Sequence, residues 1–235
     1  MIATVGPGPV LAAKAATSII PIVFVVGLDP VHAGFVASLN RPGGNITGVA
    51  LLSAEPIAKR VELLHELVPT ATAVFLLINP TNPGSEPQTN NLQDAARSLG
   101  LQLHILRAST VSEIETAFGA LDEFGAGVFV LGGDPFSPIS EIKSPRWRPA
   151  MRYPRSTRYA CSPDAGGLMS YGADLADSFR QAGVYAAKIR QGLKPADLPV
   201  QQVVKLELVI NLNTAKSLVL TIPPSILARA DAVIE

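Results

Sequence analysis

Short, nearly uninterrupted apolar runs alternate along the chain with longer stretches in which apolar residues recur every three or four positions. The run "IPIVFVVG" (20–27) is apolar at successive positions, rich in β-branched side chains and bounded by Pro21 and Gly27. That pattern predicts a strand buried on both faces. "EPIAKRVELLHELVP" predicts a helix, with Pro56 in its first turn, Ile57, Val61, Leu64 and Leu67 or Val68 forming one stripe, and Pro69 as its stop. "TAVFLLINP" follows as a strand, "SEPQTNNLQDAARSLG" as a helix ending on Gly100, and "LQLHILRA" as the next strand. "TVSEIETAFGALDEFG" is a third helix, opened by Thr110 with Glu113 three residues on, a capping-box pattern. "AGVFVLGG" closes this series as a strand, and "GGLMSYG" (166–172) is another. "DLADSFRQAGVYAAKIRQG" then reads as a helix from Asp174 to Gly192, "KLELVIN" as a strand, and "NTAKSLVL" and "PPSILARADAVIE" as short terminal helices. Alternation at roughly 25 to 30 residues per unit predicts an α/β fold, with parallel sheets covered by helices on both faces.

Composition narrows the function classes. A chain of 235 residues, 48% of them hydrophobic, can build one large domain or two smaller lobes with real cores. Nineteen basic and nineteen acidic residues cancel, so the chain as a whole has no electrostatic pull toward a polyanion or a membrane surface. A single cysteine excludes an intrachain disulfide framework, and no Cys/His grouping has zinc-site spacing. No apolar stretch reaches the roughly 18 residues of a membrane span. The opening "MIATVGPGPVLAAK" places no basic region ahead of its apolar residues, so no secretory signal is read in it.

One run breaks the composition. Six of the nineteen basic residues fall within 143–158 with no acid among them, and Trp147 and Cys161, each the sole residue of its type, lie in or beside it. A nucleic-acid-binding arm would need a partner fold and a basic surface around it; the rest of the chain is slightly acidic, so no nucleic-acid partner is expected.

In open α/β sheets ligands bind beyond the carboxyl ends of the strands. The segments there are "LDP" (28–30), "NPTNPGS" (79–85), "GGDPF" (132–136) and "SYGAD" (170–174). All are rich in hydrogen-bonding side chains, with Gly and Pro fixing the backbone; turn chemistry alone could also account for any one of them. Catalytic constellations are poor: there is no G-x-S-x-G elbow, and His32, His65 and His104 fall on a loop, a helix and a strand, where structural roles suffice. "VGPGPVL" fails as a dinucleotide loop, because its prolines remove N–H donors and the third glycine is missing. "NIT" at 45–47 matches a glycosylation acceptor, a weak motif. No enzyme chemistry, metal or cofactor is expected.

Long segments carry a specific resemblance. "IPIVFVVGLDPVHAGFVASLNRPGGNITGVALLS", "RVELLHELVP", "FLLINPTNP", "AGGLMSYGADLADSFRQAGVYAAKIRQGLKPADLPVQQ" and "KLELVINLNTAKSLVLTIPPSILARADAVIE" together resemble the substrate-binding proteins of ABC transporters. The branch is the uncharacterised-transporter family of the type I periplasmic-binding fold, relatives of which take up aromatic amino acids. The resemblance covers about residues 1–136 and 164–235. It implies two doubly wound parallel-sheet lobes joined by a hinge, with residues 1–53 and 172–205 in the first lobe and 54–171 in the second; for 206–235 the lobe is left open. It also implies a small-molecule solute bound between the lobes, a membrane permease as partner, and a place in the periplasm or on a lipid anchor outside the inner membrane. The residues expected to meet the solute are Asp29, Asn79, Thr81, Asn82 and Ser85, with Asp134 facing a ligand amine and Ser170 or Tyr171 contributing from the hinge side.

Two departures from the family follow. Its members carry an export signal and two further βα units ahead of the strand that here is "MIATVG", so the first lobe is expected to be incomplete, with sheet edge and apolar surface exposed. Where they have a helix and a strand reading approximately "LAALAARHAIPAIY", this chain has the Arg/Pro run. Codons for residues 141–158 can be chosen so that the shifted frame reads "DQVAALAARHAIPAIYA"; residues 137–163 are therefore expected to be an irregular, out-of-frame segment. The leading expectation is the substrate-binding component of an uptake transporter, for an amino acid. The alternatives are the effector-binding core of a transcription regulator and a non-functional fragment of a decayed gene.

Overall fold

The computed structural model describes residues 1–51, 55–119, 127–133, 155–157, 166–203 and 205–235. Asp134, Trp147 and Cys161 lie outside them, as does most of the Arg/Pro run. The chain divides into two compact units, Met1–Ser53 with Ala173–Leu206, and Ala54–Gly172 with Glu207–Glu235.

The first unit holds β1 (Ile2–Val5), α1 (Pro7–Ala16), β2 (Ile22–Val26), β3 (Ile46–Ala50), α5 (Leu175–Arg190) and β9 (Gln201–Gln202). Its sheet runs β1-β2-β3-β9, all pairs parallel. All five residues of β2 are buried, as its unbroken apolar sequence requires. Ile22, Phe24 and Val26 cluster with Val10 and Ala13 of α1, whereas Val23 and Val25 meet Tyr185, Leu175 and Ala182 of α5. Helices therefore cover both faces. Thr47 fastens β3 to the later crossing, its buried hydroxyl donating to Leu198 O at 2.6 Å.

The second unit contains α2 (Glu55–Leu67), β4 (Ala73–Ile78), α3 (Ser85–Ser98), β5 (Gln102–Arg107), α4 (Val111–Gly119), β6 (Gly127–Leu131), β7 (Arg155–Thr157), β8 (Met169–Ala173), β10 (Leu206–Asn211), α6 (Leu212–Ser217), α7 (Pro224–Leu227) and β11 (Ala232–Ile234). Its sheet runs β11-β10-β8-β7-β6-β4-β5. Val74, Leu76 and Ile78 of β4 join one cluster with Ile57, Leu64 and Leu92 of α2 and α3. Phe75 and Leu77, pointing the other way, pack with Ile114 of α4 and Phe129 of β6. The capping box at Thr110 is formed: Thr110 Oγ1 accepts from Glu113 N, and Glu113 Oε2 accepts from Thr110 N.

Three segments take structures that the sequence pattern does not announce. "VGPGPVL" opens a helix: Gly6 takes φ 85° as the N-cap and Pro7 stands at the first helical position, where its missing N–H costs nothing. "PPSILARADAVIE" is not one helix, since only Pro224–Leu227 is helical and Ala232–Ile234 pairs parallel with β10. Asp231 sets that turn, its N donating to Leu208 O and its Oδ2 accepting from Leu208 N, both at 2.8 Å. Residues 207–235 thus belong to the second unit, their Leu208, Ile210 and Ile226 lying in its main cluster. Within the run expected to be irregular, Arg155–Thr157 is a strand paired with β6 and β8. Ladder bonds are made by main-chain groups, so a gap between two parallel strands can recruit a segment of any non-prolyl sequence. Among the described residues no helix is long and apolar enough to cross a membrane.

Candidate ligand-binding loops

The carboxyl end of β4 runs into Asn79-Pro80, and the loop that follows is built from its own side chains. Asn79 Oδ1 accepts from Thr81 N at 3.0 Å and from Thr81 Oγ1 at 2.8 Å, an Asx turn. Asn79 O accepts from Ser85 Oγ at 2.6 Å, which closes the loop onto the first residue of α3. Asn82 Oδ1 accepts from Gly84 N at 2.9 Å, and Asn82 Nδ2 donates to Gly133 O at 3.1 Å. The loop after β4 is therefore bonded to the end of β6 at Gly133. Thr81 is exposed, Asn79 and Asn82 are half-buried, and Ser85 is buried.

Gln88, which the sequence reading passed over, completes this assembly. It is 2% exposed; its Oε1 accepts from Gly133 N at 2.6 Å, and its Nε2 donates to Gly84 O at 2.9 Å and Gly133 O at 3.2 Å. No local signal marks it, because its partner lies 45 residues away.

On β8, Ser170 is fully buried and its hydroxyl has no hydrogen-bond partner among the described residues. Tyr171 is half-buried and its carbonyl accepts from Arg60 Nε at 2.7 Å. In the first unit Asp29 is exposed, with Oδ1 accepting from Val31 N at 2.8 Å and His32 N at 3.2 Å. The structure thus joins Asn79, Thr81, Asn82 and Ser85 in one network, sets Ser170 and Tyr171 on another strand of the same unit, and puts Asp29 in the other unit. Asp134 lies outside the described residues. Among the described residues no group of three His, Cys, Asp or Glu side chains could hold a metal ion.

The profile of the family described as ABC transporter substrate binding protein matches residues 1–234. The chain belongs to that family. A tyrosine-binding protein of Clostridioides difficile (strain R20291) is 29% identical over 211 residues, covering 88% of this chain and 59% of the relative. The chain therefore spans 59% of the length of that curated relative. The structure of an ABC domain in complex with L-Trp, from Streptococcus pneumonia, superposes with a TM-score of 0.87 at 24% identity, over 100% of this chain and 78% of that one. A conserved domain protein from Vibrio cholerae O1 biovar eltor str. N16961 gives 0.85 at 29% identity, over 98% and 77%. This family member has the type I periplasmic-binding fold. A family match along residues 1–234 does not favour the reading as a regulator core.

Proposed function

We propose that this protein is the solute-binding component of an ABC-type uptake transporter, acting outside the cytoplasmic membrane and handing its solute to a membrane permease. The solute is an amino acid, with an aromatic side chain. The observation that carries the reading is the family match along residues 1–234, supported by the likeness to a tyrosine-binding protein.

The loops of the second unit suit such a solute. A zwitterionic amino acid needs N–H and hydroxyl donors for its carboxylate and an acceptor, best a carboxylate, for its ammonium. Thr81, Asn79 and Asn82 offer exposed or half-exposed polar groups on a loop whose backbone is held by its own hydrogen bonds. Ser85 supports that loop from beneath, and the unspent hydroxyl of Ser170 and the ring of Tyr171 complete the contacts on this unit. The carboxylate for the ammonium is proposed to be that of Asp134.

Thermal unfolding with a panel of solutes tests the reading. A ligand at one hundred times its Kd stabilises by about 2.7 kcal/mol. Tyrosine, tryptophan or phenylalanine is expected to raise the Tm, and glycine or a pentose is not. A panel in which only sugars raise the Tm would contradict the amino-acid reading.

A further inference from the structure

We infer that Gln88 is a positioning residue of this site, its side-chain amide clasping the main chain of Gly133 where β6 leaves the sheet. The inference rests on the reading of the β4 and β6 loops as ligand-binding.

β4 and β6 pair in register from Ala73↔Gly127 to Leu77↔Leu131. One more bond continues the ladder, Gly132 N donating to Leu77 O at 2.8 Å. There β4 ends: its chain turns at Asn79, and Pro80 has no N–H to offer. Gly133, the next residue of the β6 side, is buried, so its N–H and C=O need partners beyond the ladder.

Gln88 meets both, with Oε1 on Gly133 N and Nε2 on Gly133 O. Asn82 Nδ2 takes the second lone pair of that carbonyl. A shorter side chain would not span the gap, and an apolar one would leave Gly133 N unmet and its carbonyl with Asn82 alone. Gly132 has little room for a larger residue, because a β-carbon there would stand 3.0 Å from Leu77 O and from Ile78 Cγ2. The β6 chain therefore leaves the sheet at a position held by Gln88 together with Asn82. Gly84, on the β4 loop, accepts from the same Nε2, so a single amide locks both loops to the first turns of α3.

The test uses Gln88→Met, which keeps the shape and removes the amide, Gln88→Glu, which keeps the acceptor for Gly133 N and removes the donors, and Ser98→Ala at the far end of α3 as control. Amide exchange at Gly133 and the Kd for L-tyrosine and L-tryptophan are measured on folded protein. Gln88→Met is expected to speed Gly133 exchange at least about tenfold and to weaken binding by about tenfold, the net worth of one hydrogen bond. Gln88→Glu is expected to retain slow exchange and to lose less affinity, a partial rescue that generic loosening of α3 would not give; it also serves if the Met variant fails to fold. Unchanged Gly133 exchange in Gln88→Met would overturn the clasp. Faster exchange with affinity kept within twofold would make it structural only. A wild-type protein that binds neither amino acid would overturn the reading of the site, and the positioning role with it. The exchange arm separates these failures, since it reads the Gly133 bond without ligand.

Discussion

Arg60, fully buried on α2, donates through Nε to the main-chain carbonyl of Tyr171 at 2.7 Å. The two residues are 111 positions apart, and each lies close to a point where the chain leaves the second unit: α2 begins just after residue 54, and the first stretch of that unit ends at 172. A guanidinium without solvent costs several kcal/mol to bury unless it is well bonded, so this bond is part of what keeps α2 and β8 in place.

Arg60→Met is accordingly expected to destabilise the protein by about 3 kcal/mol, through the carbonyl it orphans and the packing it changes. Arg60→Lys keeps the charge but not the planar fork, and should recover only part. Urea unfolding, read as the change in midpoint at constant slope, measures both.

Ser170 makes the opposite prediction for stability. Its hydroxyl is buried with no partner among the described residues, so Ser170→Ala is expected to leave stability unchanged or to raise it by up to about 1 kcal/mol. If the hydroxyl meets the solute, as proposed, affinity falls in the same variant. A Tm without ligand and a Kd for tyrosine separate the two effects.

Val219 occupies a glycine's place. It follows α6 with φ 56° and is 92% exposed, in a helix-ending turn in which Leu220 N bonds Ala215 O and Val219 N bonds Lys216 O. That is a Schellman arrangement, which normally has Gly at the left-handed position. Val219→Gly should relieve the clash of a β-branched residue and stabilise by about 1 kcal/mol. At roughly 2–4 °C per kcal/mol for a chain of this size, differential scanning calorimetry resolves the shift.

Glu66 ties α2 to the tail. Its Oε2 faces Arg229 Nη2 at 2.5 Å and its Oε1 accepts from Ser225 Oγ at 2.8 Å. The hydrogen bond from Arg229, then that from Ser225, holds its carboxyl below the ordinary glutamate value. A depressed folded pKa means stability that is fully present above the unfolded value of about 4.3 and is lost as pH falls through the folded one. Both side chains are about two-fifths exposed, at 44% and 39%, so screening limits the contribution to less than about 1 kcal/mol. Glu66→Gln is expected to lower the Tm slightly at pH 7 and to close the gap to wild type by pH 3.

Elements whose burial is written in consecutive residues were the legible ones. β2 and β4 carry unbroken apolar runs, α2 carries its stripe between two prolines, and α4 announces itself with Thr110 and Glu113. β3 was harder, because "ITGVA" is short and includes Gly48, whose missing side chain matters only against Phe24: a β-carbon there would fall 2.1 Å from Phe24 O. β11 was read as helix, since "ARADAVIE" has good helix formers and only the Asp231 bonds to Leu208 divert it to the sheet. At the site, Asn79, Thr81 and Asn82 could be singled out from the strand-end position and turn chemistry. Gln88 could not, because its meaning is a partner 45 residues on.

The most direct measurement is isothermal titration of the purified protein with L-tyrosine, L-tryptophan and L-phenylalanine, with ribose as the control. Saturable heat with a micromolar or tighter Kd is expected for at least one aromatic amino acid, and none for ribose. Saturable binding of ribose with no response to any of the three amino acids would contradict the amino-acid reading.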